Sequence, residues 1–272
     1  MKIALITRDD LDEQDPARLR VIEAVARAGA HLVPEVDART ADALVVLGGD
    51  GTLLRAVQQV GHEDTPVLGV NLGSLGFLTE VTVEEVDAAL RSLIEGSGAF
   101  TWRSLLHASV EGAGRSASHV GLNDVTIAKA ATVSRIVEFT VSVGERFMSE
   151  FRADGLIVST PTGSTAYNLA AGGPIVHPAL DAVVLTPICP HMLSNRPLVI
   201  PADAPVRIRV RSSASPVHVT VDGQWSHEVS PSDELVVSKA GRRLKLVTSK
   251  ERDYFEVLRT KLKWGDFPKL RQ

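Results

Sequence analysis

Along the first hundred positions, apolar residues fall in short solid runs separated by stretches where they recur every three or four residues. The solid runs are KIALIT (2–7), HLVPEV (31–36), ALVVL (43–47) and PVLGVNLG (66–73). Runs of this kind, alternating with amphipathic segments, predict a parallel α/β sheet. The first amphipathic segment, ARLRVIEAVARAG (17–29), carries Leu19, Ile22, Val25 and Ala26 at helical spacing and stops at Gly29, a residue suited to the position just past a helix end. A further helix is predicted in TLLRAVQQV (52–60). A third should begin near Thr82, with Glu85 placed to complete a capping box, and end in EGSG (95–98).

From Phe100 to about Ser249 the texture changes to strict alternation, as in Val206-Arg-Ile-Arg-Val-Arg211 and Val217-His-Val-Thr-Val221, broken by Gly, Pro, Asp and Ser. Period-two alternation marks half-buried antiparallel strands, and many such strands with regular turns predict a β-sandwich. Little helix is expected here beyond 164–171. The tail ERDYFEVLRTKLKW returns to helical spacing through Phe255, Leu258 and Leu262. The expected organisation is an α/β domain over 1–97, an all-β domain over 98–250, and a C-terminal segment over 251–272 that folds back on the first domain.

Composition narrows the class without changing this picture. In 272 residues, 44% are apolar and 23% charged, which describes a water-soluble globular chain. The net charge of −4 offers no general attraction for nucleic acid or an anionic membrane. The run IALI near the start is too short for a signal-peptide core, and no segment approaches the ~20 apolar residues of a membrane helix. One cysteine, Cys189, excludes an intramolecular disulfide framework, so a cytoplasmic location is expected.

Chemistry concentrates in two glycine-rich segments. Ala43-Leu-Val-Val-Leu-Gly-Gly-Asp-Gly-Thr52 runs a strand into a turn that opens a helix, the layout of a phosphate site. Gly48, Gly49 and Gly51 permit positive φ and close backbone approach, while Asp50 is placed to act as a base, or through a metal, beside phosphate. The plain alternative is a tight turn with Asp50 or Thr52 capping the helix. The second segment, Thr160-Pro-Thr-Gly-Ser-Thr-Ala-Tyr-Asn-Leu-Ala-Ala-Gly-Gly-Pro174, gathers hydroxyls and small residues. Asn168 and the hydroxyls could orient a polar ligand and Tyr167 could cover a base, or the segment is only a demanding loop. Arg152 and Asp154 share one face if their stretch is extended. Asn123-Asp124 taken alone reads as an ordinary turn.

Other chemistries are excluded. There is no G-x-x-x-x-G-K-[ST] loop, no GxGxxG and no HExxH, and Ser164 lacks the frame of a nucleophile elbow. His107, His119, His218 and His227 are scattered as surface or strand residues, and His191 is left open between a ligand-side role and none.

Taken together, these segments resemble the NAD kinase family over nearly the whole chain. GGDGT (48–52), GSLGFL (73–78), Asn123-Asp124, Ala153-Asp-Gly155, the 160–174 block, TPICPH (186–191), RPLVIP (196–201) and VDGQ (221–224) fall in the family's order. GGDGT is shared with lipid kinases, whereas the 160–174 block is far more specific. The resemblance implies a Rossmann-like α/β domain and a β-sandwich with the ligand cleft between them. It implies an enzyme that transfers the γ-phosphoryl group of ATP, or of polyphosphate, to the 2′-hydroxyl of the adenosine ribose of NAD, with a divalent cation, taken as Mg²⁺.

On the same resemblance, Asp50 takes the proton of the attacking hydroxyl, Gly51 and Thr52 lie against the phosphates, and Arg55 helps to bind the donor. Asn123 and Asp124 hold adenosine, with Arg135, Arg152 and Asp154 further along the dinucleotide. Thr165, Ala166, Tyr167 and Asn168, with Leu169 and Ala170 beside them, line the base and ribose pockets, and Gln224 closes the site. Contacts near Cys189 come from a neighbouring subunit, implying a homodimer or homotetramer. The second family motif often reads Asn-Glu, so Asp124 is a departure, one methylene shorter. Two other readings are weighed. A lipid or sphingoid kinase predicts an apolar acceptor cavity, which the polar 160–174 block disfavours; a non-catalytic NAD sensor could dispense with Asp50.

Overall fold

The computed structural model describes residues 1–112, 115–130, 136–192, 194–213, 216–249 and 251–265. The chain divides into two compact units, Met1–Trp102 with Leu244–Gln272, and Arg103–Arg243.

The first unit contains β1 (Lys2–Thr7), α1 (Pro16–Arg27), β2 (His31–Val33), β3 (Ala43–Leu47), α2 (Asp50–Val57), β4 (Pro66–Asn71), β5 (Val81–Thr82) and α3 (Val86–Ile94). The strands form a parallel sheet in the order β2–β1–β3–β4, with β5 parallel to the end of β4. Lys245–Val247 also pair with β4 in parallel, opposite Pro66–Leu68. Every residue of β3 is buried, as expected of a central strand covered on both faces. The sheet is the expected Rossmann-like one, and its order reverses between β1 and β3. Such a switch point, at the carboxyl ends of the strands, is where doubly wound sheets bind ligands.

Helix α1 starts as its sequence directs, with the Asp15 side chain accepting from the Ala17 N–H and Pro16 in the first turn. Its buried face, however, is Val21, Ala24 and Val25, while Leu19 is exposed. Both stripes have helical spacing, and packing of Val21, Ala24 and Val25 with Ile3, Val86 and Leu90 selects the second. Helix α3 begins at Val86 rather than near Thr82. Half of the expected capping box is present, the Thr82 N–H donating to Glu85 Oε2 at 2.8 Å. Arg252 also binds Glu85, and this pairing is the main reason the Glu85 carboxyl lies below its ordinary range. In the C-terminal segment, α5 (Tyr254–Leu262) is capped by Asp253 and buries Val257 and Leu258, while Phe255 stays exposed.

The second unit holds most of β6 (Phe100–Gly112), then β7 (Arg115–Gly121), β8 (Asp124–Lys129), β9 (Val137–Val143), β10 (Arg146–Ala153), β11 (Gly155–Ser159), α4 (Tyr167–Ala170), β12 (Ala182–Ile188), β13 (Leu198–Pro201), β14 (Val206–Ser212), β15 (Val217–Val221), β16 (Trp225–Val229) and most of β17 (Glu234–Val247). One antiparallel sheet runs β10–β9–β14–β17 and a second β13–β12–β11–β8–β15–β16. Phe139, Ile208 and Leu235 of the first share one core with Ile127, Leu156 and Val219 of the second. This is the expected β-sandwich, and its alternating strands VRIRVRS and VHVTV turn their valines and isoleucine inward.

Candidate functional site

Strand β3 delivers the chain to Gly48 at the switch point of the first sheet, and Asp50 opens α2, where a carboxylate also complements the helix dipole. Its side chain does not cap its own helix. It reaches across to the turn at 76–79, where Oδ2 accepts from the Phe77 N–H at 2.9 Å. Oδ1 accepts from the Leu78 N–H at 3.0 Å, the Thr79 N–H at 3.2 Å and the Thr79 hydroxyl at 3.1 Å. The turn comes this close because residue 76 is glycine: a Cβ there would lie 2.1 Å from Asp50 Oδ1. Charge-assisted bonds are the stronger kind, so this set fixes the carboxylate in place.

The glycines of the loop have different reasons from those expected. None of Gly48, Gly49 and Gly51 is among the positive-φ residues, and Gly49 has φ −94°. Gly48 is required by packing, since a Cβ would stand 2.4 Å from Thr52 Oγ1. At Gly49 and Gly51 a Cβ would meet nothing within 4 Å, so no neighbour in the chain demands glycine there. Bare backbone facing open space at a helix start is what a close-bound phosphate requires. Thr52 is buried against Gly48, and only Gly51 of the two is exposed. Arg55 binds Asp9 and the Thr7 carbonyl, which ties α2 to the end of β1.

In the second unit, strand register brings three separate segments to one end of the six-stranded sheet. Asp124 at the start of β8 lies opposite Ser159 at the end of β11, and Val125 lies opposite Val221 at the end of β15. Asn123-Asp124, the 160–174 loop and Asp222-Gly223-Gln224 therefore meet. Asp222, in a left-handed turn at φ 51°, is the organiser of this corner. Its carboxylate accepts from the N–H groups of Leu122 at 2.7 Å, Asn123 at 2.8 Å and Asp124 at 3.0 Å.

Asp124 is 7% exposed and, among the described residues, receives the Thr126 hydroxyl at 3.3 Å. Burial, and then the neighbouring Asp222 charge, push its carboxyl up to about 7. Asp222 is also raised by burial, against the opposing effect of its three N–H donors. Burial lowers His119, against the nearby Asp222 charge. No role was assigned to Asp222 in the sequence; the signal for it was an Asp-Gly turn between two alternating strands.

The 160–174 loop divides into an inner and an outer set. Asn168 has no exposed surface: Nδ2 donates to the Ser164 and Pro174 carbonyls at 3.0 and 3.1 Å, and Oδ1 accepts from Thr186 Oγ1 at 2.6 Å. Ser164 is likewise enclosed, donating to the Pro161 carbonyl and accepting from the Val176 N–H. The Thr160 hydroxyl donates to the Leu122 carbonyl at 2.6 Å. The polar atoms of Asn168 are engaged by the loop itself and by Thr186. The accessible set is Thr165, Ala166, Tyr167, Leu169 and Ala170, with Tyr167 47% exposed. Gln224 is exposed in the adjoining turn.

The remaining residues lie elsewhere. Gly155, at the start of β11, pairs with Ile188 and with Ala128 at the other end of the sheet. Arg152, Asp154 and Cys189 are held there: the His191 N–H donates to the Arg152 carbonyl and the Asp154 N–H to the Ile188 carbonyl. Four residue steps along β11, roughly 13 Å at strand rise, separate this end from the Asp124 corner. Arg152 pairs with Glu138 and Asp154 with Lys129, rather than with each other. Arg135 lies outside the described residues. Among those described, no group of three or more His, Cys, Asp or Glu side chains stands ready to hold a metal, and no helix is long and apolar enough to cross a membrane.

A family model described as the ATP-NAD kinase N-terminal domain matches residues 5–98, and one described as the ATP-NAD kinase C-terminal domain matches 122–249. The chain is 51% identical to the NAD kinase of Geobacter metallireducens over 227 residues, 83% of this chain and 80% of that protein. It is 42% identical to that of Koribacter versatilis over 256 residues, 94% and 87% of the two. Among solved structures, yeast NADH kinase complexed with NADH superposes with TM-score 0.89 at 25% identity, covering 100% of this chain and 90% of that one. An NAD kinase from Archaeoglobus fulgidus in complex with ATP gives TM-score 0.80 at 25% identity, covering 97% and 99%. With its two family domains matched in order and its glycine loops intact, the chain belongs to the NAD kinase family.

Proposed function

We propose that the chain transfers the terminal phosphoryl group of ATP to the 2′-hydroxyl of the adenosine ribose of NAD, with Asp50 as the proton acceptor. The observation that carries the role of Asp50 is its anchoring by the 76–79 turn beside a loop where a Cβ at Gly49 or Gly51 would meet no neighbour. As the ribose O2′ forms its bond to the γ-phosphorus, the bond from that phosphorus to the β,γ-bridging oxygen breaks and ADP departs. The hydroxyl proton passes to Asp50. A carboxylate is a weak base for an alcohol, but in a loose transition state proton transfer is late and positioning dominates.

In this reading Gly51 and the first turn of α2 receive donor phosphate, and Arg55 acts by holding that turn to β1. Asn123, Asp124, the outer set Thr165, Ala166, Tyr167, Leu169 and Ala170, and Gln224 bind the dinucleotide. Asn168 shapes their loop. The donor is written as MgATP, the cation belonging to the substrate, and polyphosphate is an alternative donor. Arg152, Asp154 and Cys189 stand at the other end of β11; on the family resemblance, contacts near Cys189 belong to a neighbouring copy, and the working form is taken as a homodimer or homotetramer. A free, exposed Cys189 suits a cytoplasmic setting. Membership of the family disfavours the lipid-kinase reading.

The test is incubation with NAD, ATP and Mg²⁺, with NADP detected by an NADP-specific dehydrogenase, for wild type and Asp50→Asn. Turnover in wild type and its loss by roughly 10³-fold in the variant, with NAD binding retained, is the expected result. Binding of NAD without turnover by wild type, with ATP or polyphosphate, would indicate a sensor instead.

A further inference from the structure

Behind Asp50 lies a chain of hydrogen bonds whose direction is determined at each step. Asn71 Oδ1 accepts from the Gly73 N–H at 2.6 Å, which identifies that atom as the amide oxygen and the other as Nδ2. Nδ2 donates to Thr79 Oγ1 at 2.8 Å. Since an amide NH₂ accepts nothing, the Thr79 hydroxyl must spend its single proton elsewhere, and Asp50 Oδ1 is 3.1 Å away. Thr79 has no exposed surface and Asn71 is 7% exposed, so bulk water does not replace either partner. The Thr79 methyl is seated on Gly69, where a Cβ would come within 2.8 Å of it.

The consequence is an unequal carboxylate. Among the described residues, Oδ1 takes two backbone N–H groups and the hydroxyl, whereas Oδ2 takes one N–H. We infer that Asn71 and Thr79 are positioning residues that saturate Asp50 Oδ1 and reserve Oδ2 as the oxygen that receives the substrate proton. The inference rests on the role proposed for Asp50. Neither residue touches substrate: Asn71 acts only through Thr79, and Thr79 only through Asp50.

The experiment compares full-length Thr79→Val, Thr79→Ser, Asn71→Asp and Asp50→Asn with wild type, by kcat, by KM for NAD and for ATP, and by melting temperature. Thr79→Val keeps the shape and the backbone donor but removes the hydroxyl. Asn71→Asp offers that hydroxyl a competing carboxylate and turns its proton away from Asp50. The expected result is a loss in kcat of about 10- to 100-fold in both, with each KM within about twofold, and recovery of most of kcat in Thr79→Ser. A merely structural hydroxyl would instead move melting temperature and leave kcat per folded enzyme unchanged. If Thr79→Val is unstable, Asn71→Asp and Thr79→Ser still decide the matter. Full kcat in Asn71→Asp, or in a folded Thr79→Val, while Asp50→Asn is inactive, overturns the inference and leaves the Asp50 reading standing. Full kcat in Asp50→Asn overturns both.

Discussion

Asp50 and Asp124 each sit at a strand end beside a glycine-rich loop, yet their surroundings are opposite. Asp50 is half-buried and accepts four hydrogen bonds, three of them from backbone, all supplied by one turn. Asp124 is almost enclosed, accepts one hydroxyl, and faces the carboxylate of Asp222. The same functional group is therefore held as a fixed acceptor in one place and kept close to its protonated form in the other. Residue type alone does not set a carboxylate's work; the donors around it do.

The comparison is broken most severely by moving Asp50. Gly76→Ala places a methyl group where Oδ1 now lies, so the turn and the carboxylate must part. A displacement of this order is expected to cost about 100-fold in kcat. Steady-state kinetics beside a melting curve will check it, and an unchanged kcat would mean that the turn does not position Asp50.

On the dinucleotide side, Asn168→Ala strips partners from the Thr186 hydroxyl and two loop carbonyls at a buried site. Denaturant unfolding should show a loss of about 2–4 kcal/mol. A smaller loss, with NAD binding abolished, would return Asn168 to the ligand side.

Asp124 gives a pH test with a definite sign. Its folded-state pKa, about 7, lies above the ordinary carboxyl value near 3.8. Between those limits the native state keeps a proton that the unfolded state has released, so stability falls as pH rises from about 4 to 7 and levels off above. Asp124→Asn removes this term. It should stabilise the protein at pH 8 relative to wild type by roughly 2–4 kcal/mol and leave stability at pH 4 nearly unchanged. Equal pH profiles of unfolding for the two proteins would contradict the buried, raised carboxyl.

The smallest effect on folding is expected at Gly49→Ala, where a Cβ meets open space. Stability should move by less than about 1 kcal/mol, while KM for ATP rises several-fold because the methyl group intrudes on the phosphate. Both quantities unchanged would remove the loop's claim to bind the donor.

Much of this contrast was legible in the sequence as places and little of it as roles. The solid run 43–47 followed by GGDGT located Asp50 at a sheet's ligand end, because parallel strands and glycine turns leave strong local patterns. The alternating runs 206–211 and 217–221 located the sandwich for the same reason. The partner of Asp50 was not legible, because Gly76–Thr79 lies 26 to 29 residues away and three of its four donors are backbone, carrying no side-chain signature. The burial of Asn168 was not legible either, because burial within a polar loop depends on tertiary packing. Nor did the pattern reveal which stripe of α1 is buried, since two stripes satisfy the same period and the sheet chooses between them. The place of Arg152, Asp154 and Cys189 at the far end of β11 was not legible, because it follows from strand register.

The most direct measurement is a side-by-side determination of kcat and of KM for NAD in Asp50→Asn and Asp124→Asn. Asp50→Asn is expected to lose kcat by about 10³-fold at nearly unchanged KM, while Asp124→Asn raises KM and keeps kcat within about tenfold. The reverse pattern, or the same loss of kcat in both, would contradict the division of labour between the two carboxylates.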